Sequence, residues 1–185
     1  MVSTDDPEIA EIAKGAGAHV PFLRSAASAD DFSTTIDVVR EVIAKYEELG
    51  MSFESGCCIY PTAVLVTPDS LRASRNLLGK SGAHAVMPVV AYHHPIQRAL
   101  KADRDILEMV RPEFESVRSQ DLTKSYYDAG QFYWFHIREY LKAGGCLNSG
   151  AIPFEIEPRR SQDIDEEADW AYAEFKYQFF QSEAK

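Results

Sequence analysis

The stretch Thr67-Pro68-Asp69-Ser70-Leu71-Arg72-Ala73-Ser74-Arg75-Asn76-Leu77-Leu78-Gly79-Lys80, followed by Ala83-His84-Ala85-Val86-Met87-Pro88-Val89-Val90-Ala91, decides the fold class. Thr67 is a hydroxyl cap, Pro68 sits where a helix tolerates proline, and Asp69 adds the acidic first turn, so a helix is predicted to about Lys80. The run from Ala83 to Ala91 is continuously apolar, as a strand buried on both faces reads. Helix followed at once by buried strand is the signature of α/β architecture with mainly parallel strands.

Working outward, the same alternation extends upstream. Cys57 to Tyr60 is a short apolar run stopped by Pro61, read as a buried strand and a loop. Thr35 to Leu49 carries Ile36, Val39, Ile43 and Tyr46 at helical spacing, with Gly50 as the stop. Asp6 and Pro7 announce a first helix, with Ile9, Ile12, Ala13 and Ala16 on its expected buried face. Val2-Ser3-Thr4 reads as the end of a strand, His19 to Leu23 as a short extended segment, and Arg24 to Ser33 as a loop. Downstream the pattern loosens. Ile96 to Leu100, Ile106 to Val110 and Gln131 to His136 read as strands, with Pro112 in loop material between, which suggests an antiparallel excursion. A last helix is expected from about Glu166 to Phe179.

At 185 residues the chain fits one domain. Its 45% hydrophobic and 11% aromatic content excludes wholesale disorder. The 19 basic against 29 acidic side chains, a formal net charge of -10, argue against nucleic-acid binding driven by counterion release. There is no apolar run long enough for a membrane helix and no signal peptide at Met1, so a soluble cytoplasmic protein is expected, with no membrane partner. Cys57, Cys58 and Cys146 form neither CxxC pairs nor an even disulfide set and read as reduced packing residues.

Asp163 and Asp165 are two residues apart. In an extended segment their carboxylates share a face and could hold one Mg²⁺, whose hard oxygen preference suits carboxylates plus substrate phosphates. The same residues, followed by Glu166 and Glu167, would also make an acidic helix start. A further alternative for the pair is a DxD-bearing glycosyltransferase or a phosphatase. The latter expects an apolar strand before the first aspartate, and Arg159-Arg160-Ser161-Gln162 is not one. His93-His94 face opposite ways on an extended chain and lack a third spaced zinc ligand. No Gly-rich phosphate loop, GxSxG, kinase or dinucleotide fingerprint occurs in the sequence.

Taken in order, Val2-Ser3-Thr4-Asp5, Val20-Pro21-Phe22-Leu23-Arg24, Cys58-Ile59-Tyr60-Pro61-Thr62-Ala63, Pro95-Ile96-Gln97-Arg98-Ala99-Leu100, Arg118-Ser119-Gln120-Asp121, Asp128-Ala129-Gly130-Gln131-Phe132-Tyr133-Trp134 and Gln162-Asp163-Ile164-Asp165 resemble the CMP-sialic acid synthetase family, the acylneuraminate cytidylyltransferases. The resemblance is greatest to the pseudaminic acid cytidylyltransferase branch and spans essentially the whole chain. It implies a fold of the nucleotide-diphospho-sugar transferase type, with helices on both faces of the sheet, and a homodimer in which an extended excursion helps close the neighbour's sugar site. It also implies a CTP-dependent nucleotidyltransferase that forms a CMP-activated nonulosonic acid and releases pyrophosphate. On this resemblance Asp163 and Asp165 are the catalytic metal pair for Mg²⁺. Arg24, Ser33 and Thr35 lie on the nucleotide side. Tyr60, Thr62, Gln97, Arg98, Arg118, Gln131 and Tyr133 line the sugar-acid site, with Arg118 facing the carboxylate. The family's first strand-loop-helix unit, which wraps the CTP triphosphate, has no counterpart in these residues. Poor catalysis by this chain as written is therefore expected, and the alternative is a binding protein retaining part of the sugar site. Val64 stands where the family usually has proline, and Tyr60 where sialic acid branches carry glutamine.

Overall fold

The computed structural model describes residues 1–30, 32–145 and 150–183, so the reading of Cys146 lies outside the described residues. In chain order the helices are α1 (Pro7–Gly15), α2 (Thr35–Glu48), α3 (Pro68–Ser81), α4 (Ile137–Lys142) and α5 (Glu167–Glu183). The strands are β1 (Ser55–Ile59), β2 (Ala85–Ala91), β3 (Leu100–Asp103), β4 (Ile106–Met109), β5 (Tyr126–Asp128), β6 (Phe132–His136) and β7 (Ile152–Glu155). They fall into two compact units, Met1–Cys58 with Phe135–Ser149 and Ile59–Trp134 with Gly150–Lys185.

In the first unit, Asp6 caps α1 by accepting the N–H groups of Glu8 and Ile9 at 2.7 and 3.3 Å. The buried residue of this helix is Ala10, while Ile9 and Ile12, expected on the buried face, are exposed. The expected strand segments at Val2 to Thr4 and His19 to Leu23 form no regular ladder. They are joined by isolated bonds, Val2 N–H to the His19 carbonyl at 2.9 Å and Arg24 N–H to the Thr4 carbonyl at 2.8 Å. Thr34 and Asp37 form a reciprocal capping box at the start of α2. Beside β1, Gly56 lies against Phe135, whose ring would be 2.9 Å from any Cβ at that position. Phe135 stacks on Tyr140 of α4 with ring centroids 4.4 Å apart.

In the second unit, Thr67 caps α3 together with Ser70, and Gly82 ends the helix in the left-handed conformation at φ 68°. β2 is the core strand: Ala85, Val86 and Val90 are fully buried. It pairs in parallel with β7, Val86 opposite Ile152 and Val89 opposite Glu155, and antiparallel with β5, Val89 opposite Asp128. The α/β class holds, and beside the parallel β2–β7 ladder the described registers include two antiparallel ladders. β3 and β4 form the second of these, a separate exposed hairpin, Asp103 opposite Ile106. Its two turn residues, Arg104 and Asp105, both have positive φ, 48° and 68°. This is the turn handedness that matches hairpin twist.

The strand expected from Ile96 to Leu100 is instead a 3-10 turn at Ile96–Arg98, with β3 beginning at Leu100. Pro95, at φ -58°, presets the turn, and the Arg98 and Ala99 N–H groups close back onto the carbonyls of Pro95 and Ile96. Among the described residues no helix is long and apolar enough to cross a membrane.

Candidate functional site

The arm Gln162-Asp163-Ile164-Asp165 leads from a 3-10 turn at Pro158–Arg160 into α5. Both aspartates are exposed, and among the described residues neither side chain accepts a hydrogen bond. The helix start does not use them. Asp169 accepts the N–H groups of Asp165 and Glu166 at 3.2 and 3.0 Å, so the acidic helix start expected at Asp165 is served by Asp169. That leaves two hard oxygen donors, two residues apart, outside any capping role. No group of three or more His, Cys, Asp or Glu side chains suited to a metal occurs among the described residues. The donor set therefore fits a cation that takes one or two carboxylates and completes its shell with water and phosphate oxygens, which is the habit of Mg²⁺.

The aspartate arm meets the Asp128–Tyr133 segment. Gly130, at φ 63°, turns there, and a Cβ on it would stand 3.3 Å from Asp163 Oδ1. Asp128 Oδ1 accepts the Gly130 N–H at 2.9 Å, and its Oδ2 accepts the Tyr133 hydroxyl at 2.8 Å. Tyr133, 4% exposed, sits edge-on to Tyr60 with ring centroids 5.3 Å apart. Burial, and next the Asp128 carboxylate that accepts its hydrogen bond, push the Tyr133 phenol well above its ordinary range, so it acts as a neutral donor. The Tyr60 N–H donates to the Gln131 carbonyl at 2.9 Å, and the turn after it closes through Ala63 N–H to the Tyr60 carbonyl, leaving Thr62 half-buried. Val64, at the position where proline was expected, does not disturb this turn: its N–H donates to the Thr62 carbonyl at 2.9 Å.

Gln97, Arg98 and Arg118 belong to a second cluster of the same unit. Gln97 is 7% exposed and its amide donates to the Thr123 carbonyl at 2.9 Å, while its buried Oε1 accepts no hydrogen bond. Arg98 lines a cavity of about 460 Å³ with His94, Pro95, Ile96, Ala99 and Ser119. Arg118 points into solvent, its side chain 72% exposed and paired with Asp121 at 2.8 Å. The structure thus brings Tyr60, Gln131, Tyr133 and Asp163 together and leaves Arg118 apart from the cavity wall that Arg98 forms.

Arg24, Ser33 and Thr35 lie in the first unit. Arg24 donates to Asp5 at 2.9 Å, which holds the Asp5 carboxyl below its usual range, and its Nε is buried without a hydrogen bond. The Ser33 hydroxyl is engaged with Asp30 at 2.7 Å, and Thr35 is the first residue of α2, behind the Thr34 cap.

Known proteins resemble this chain in sequence, and a solved structure resembles it in fold. The pseudaminic acid cytidylyltransferase of Campylobacter jejuni subsp. jejuni serotype O:2 is 30% identical over 179 residues, covering 96% of this chain and 77% of that protein. N-acylneuraminate cytidylyltransferase A of Danio rerio is 29% identical over 180 residues, 94% of this chain and 39% of that protein. The chain belongs to the acylneuraminate cytidylyltransferase family. Among solved structures, that of a CMP:2-keto-3-deoxy-manno-octonic acid synthetase complexed with CTP matches with a TM-score of 0.58 at 13% identity, covering 98% of this chain and 80% of that one, and so supports the nucleotidyltransferase fold. No family model matches the chain.

Within the acylneuraminate cytidylyltransferase family the chain is a nucleotidyltransferase. Sequence reasoning assigned no role to Asp128, Asp169 or Lys176. Asp128-Ala129-Gly130 carries a local signal, an aspartate two residues before a glycine, which is the pattern of a side chain closing a turn on the backbone ahead of it. Lys176 carries none: it meets Ser161 fifteen residues away, through tertiary structure alone.

Proposed function

We propose that this cytidylyltransferase forms a CMP-activated nonulosonic acid, pseudaminic or sialic, from CTP and the sugar acid. The oxygen of the sugar's anomeric hydroxyl attacks the α-phosphorus of CTP, the bond from that phosphorus to the oxygen bridging the β-phosphate breaks with its electron pair leaving on pyrophosphate, and the hydroxyl proton passes to solvent. The observation that carries the reading is the pair of unengaged carboxylates of Asp163 and Asp165 on an arm held by hydrogen bonds, with Asp163 facing the Gly130 turn that leads into Tyr133. Mg²⁺ bound to them would neutralise charge that builds on the phosphoryl oxygens. Everything else falls to the chain's own side chains. Arg24, Ser33 and Thr35 serve the nucleotide. Tyr60, Thr62 and Tyr133 offer aromatic surface and hydroxyls to the sugar. Arg98 and Gln97, with Arg118 swung in from its exposed pairing with Asp121 when the acid binds, supply the guanidinium and amide donors that recognise an acidic sugar.

The exposed hairpin of β3 and β4, with Leu100, Ile106 and Leu107 in solvent, is the excursion through which a homodimer forms in this reading. The enzyme works in the cytoplasm, where CTP is made available. The test is to incubate the chain with CTP, Mg²⁺ and pseudaminic or N-acetylneuraminic acid and to look for a CMP-sugar by mass spectrometry. Formation with one of these acids, and none with neutral hexoses, is expected. No product with any nonulosonic acid overturns the reading.

A further inference from the structure

We propose that Lys176 and Gln131 are positioning residues that lock the aspartate arm from α5 and from the head of β6, an inference that rests on the cation site assigned above to Asp163 and Asp165. Lys176 Nζ donates to the Ser161 carbonyl at 2.6 Å and to Gln162 Oε1 at 2.9 Å. Gln162 in turn donates its amide to the Asp163 carbonyl at 3.0 Å and to Asp169 at 3.3 Å. From the other direction, Gln131 donates its amide to the Arg160 carbonyl at 2.7 Å, and the Ser161 hydroxyl donates to the Ala129 carbonyl at 3.3 Å.

Every residue from 160 to 163 is therefore held through its backbone or its side chain, while the carboxylates of Asp163 and Asp165 accept no hydrogen bond among the described residues. Their placement comes from the backbone beneath them. Lys176 is half-buried and forms no ion pair among the described residues, although the chain carries a net charge of -10. Its donors go to a carbonyl and an amide oxygen, which is the arrangement of a clamp rather than of a surface charge. A cation bonded to the residue before Asp163 also eases the repulsion between two neighbouring carboxylates. Gln131 is 3% exposed, and its donor group is engaged with the arm. It acts on the sugar-acid site through Asp163 rather than by contact.

Metal ligands held by an outer shell in this way lose affinity when that shell is cut, by about 10–100-fold. The probe is Mn²⁺, titrated into the full chain without substrates and followed by the paramagnetic resonance of the unbound ion, with thermal melts on each variant. Wild type is expected to bind Mn²⁺ and Asp163→Asn to lose it. Lys176→Met and Gln131→Leu should bind at least about tenfold more weakly, and Lys176→Arg, which keeps the donors, should recover most of the difference. Where Lys176→Met does not fold, Lys176→Gln takes its place, expected to fall between Met and Arg. Binding by folded Lys176 and Gln131 variants equal to wild type overturns the inference. Wild-type binding that is absent, or unchanged in Asp163→Asn, overturns the cation site itself.

Discussion

The Asp163 carboxylate faces Gly130 closely enough that a Cβ at residue 130 would come 3.3 Å from Oδ1 and 3.5 Å from Cγ. The contact joins two segments that are distant in sequence, the turn before β6 and the arm before α5. Gly130 adopts φ 63°, which an L-residue enters only with strain. Gly130→Ala is therefore expected to destabilise the chain by about 1–2 kcal/mol and to displace Asp163. Thermal melts read the first effect, and a raised Mg²⁺ requirement for turnover reads the second. A variant with the wild-type Mg²⁺ requirement would show that the contact is only packing.

The Tyr133 hydroxyl donates to Asp128 Oδ2 at 2.8 Å. Tyr133→Phe keeps the ring against Tyr60 and deletes that bond, at a cost of about 1 kcal/mol in stability. If the phenol addresses the sugar acid, KM for the acid should rise while KM for CTP stays near wild type. Equal shifts in both constants would place Tyr133 outside the sugar site.

Much of this was readable along the chain because the determinants are local. Thr67-Pro68 and Thr34 announce α3 and α2 through caps that lie within one helical turn, and the apolar run before Ala91 needs no partner to be recognised as buried. Ile96 to Leu100 misled because its apolar ends suggest a strand, whereas Pro95 closes a 3-10 turn on them. β7 and α4 escaped because tertiary contacts define them. β7 is a strand through its ladder on β2, and Ile137 N–H at the start of α4 donates to the Glu54 carbonyl. At the site, the paired aspartates and Tyr133 were visible as residue types in order. That the amide of Gln131 would be taken by the Arg160 carbonyl, and the start of α5 capped by Asp169, depends on distances no spacing rule contains.

Acid should loosen the first unit through Glu41. Its carboxylate accepts from the Ser25 N–H at 2.7 Å and the Ser25 hydroxyl at 2.9 Å and pairs with Lys45 at 2.8 Å. The Lys45 ammonium chiefly, with Ser28 and Ser25, holds its carboxyl down to about 2 from an ordinary 4.5. A carboxyl depressed on folding stabilises fully above its ordinary value and loses that contribution as pH falls from about 5 toward 2. Glu41→Gln should lower stability at neutral pH by about 1–3 kcal/mol and flatten the acid limb of the pH–stability curve. Parallel curves for the two proteins would contradict this.

The β3–β4 turn places Asp105 at φ 68°, where glycine carries no steric penalty. Asp105→Gly should raise the thermal midpoint by an amount corresponding to a few tenths of a kcal/mol, up to about 1, and protect the hairpin from proteolysis. Faster cleavage between Leu100 and Met109 would show that the aspartate side chain, not the backbone angle, fixes this turn.

The most direct test of the account is a crystal of the chain grown with CTP and Mn²⁺, read at the manganese absorption edge. An anomalous peak is expected with an oxygen of Asp163 and an oxygen of Asp165 both about 2.2 Å away and with nucleotide phosphate oxygens filling other positions of the shell. A nucleotide bound with its metal elsewhere, and both carboxylates left in solvent, would contradict it.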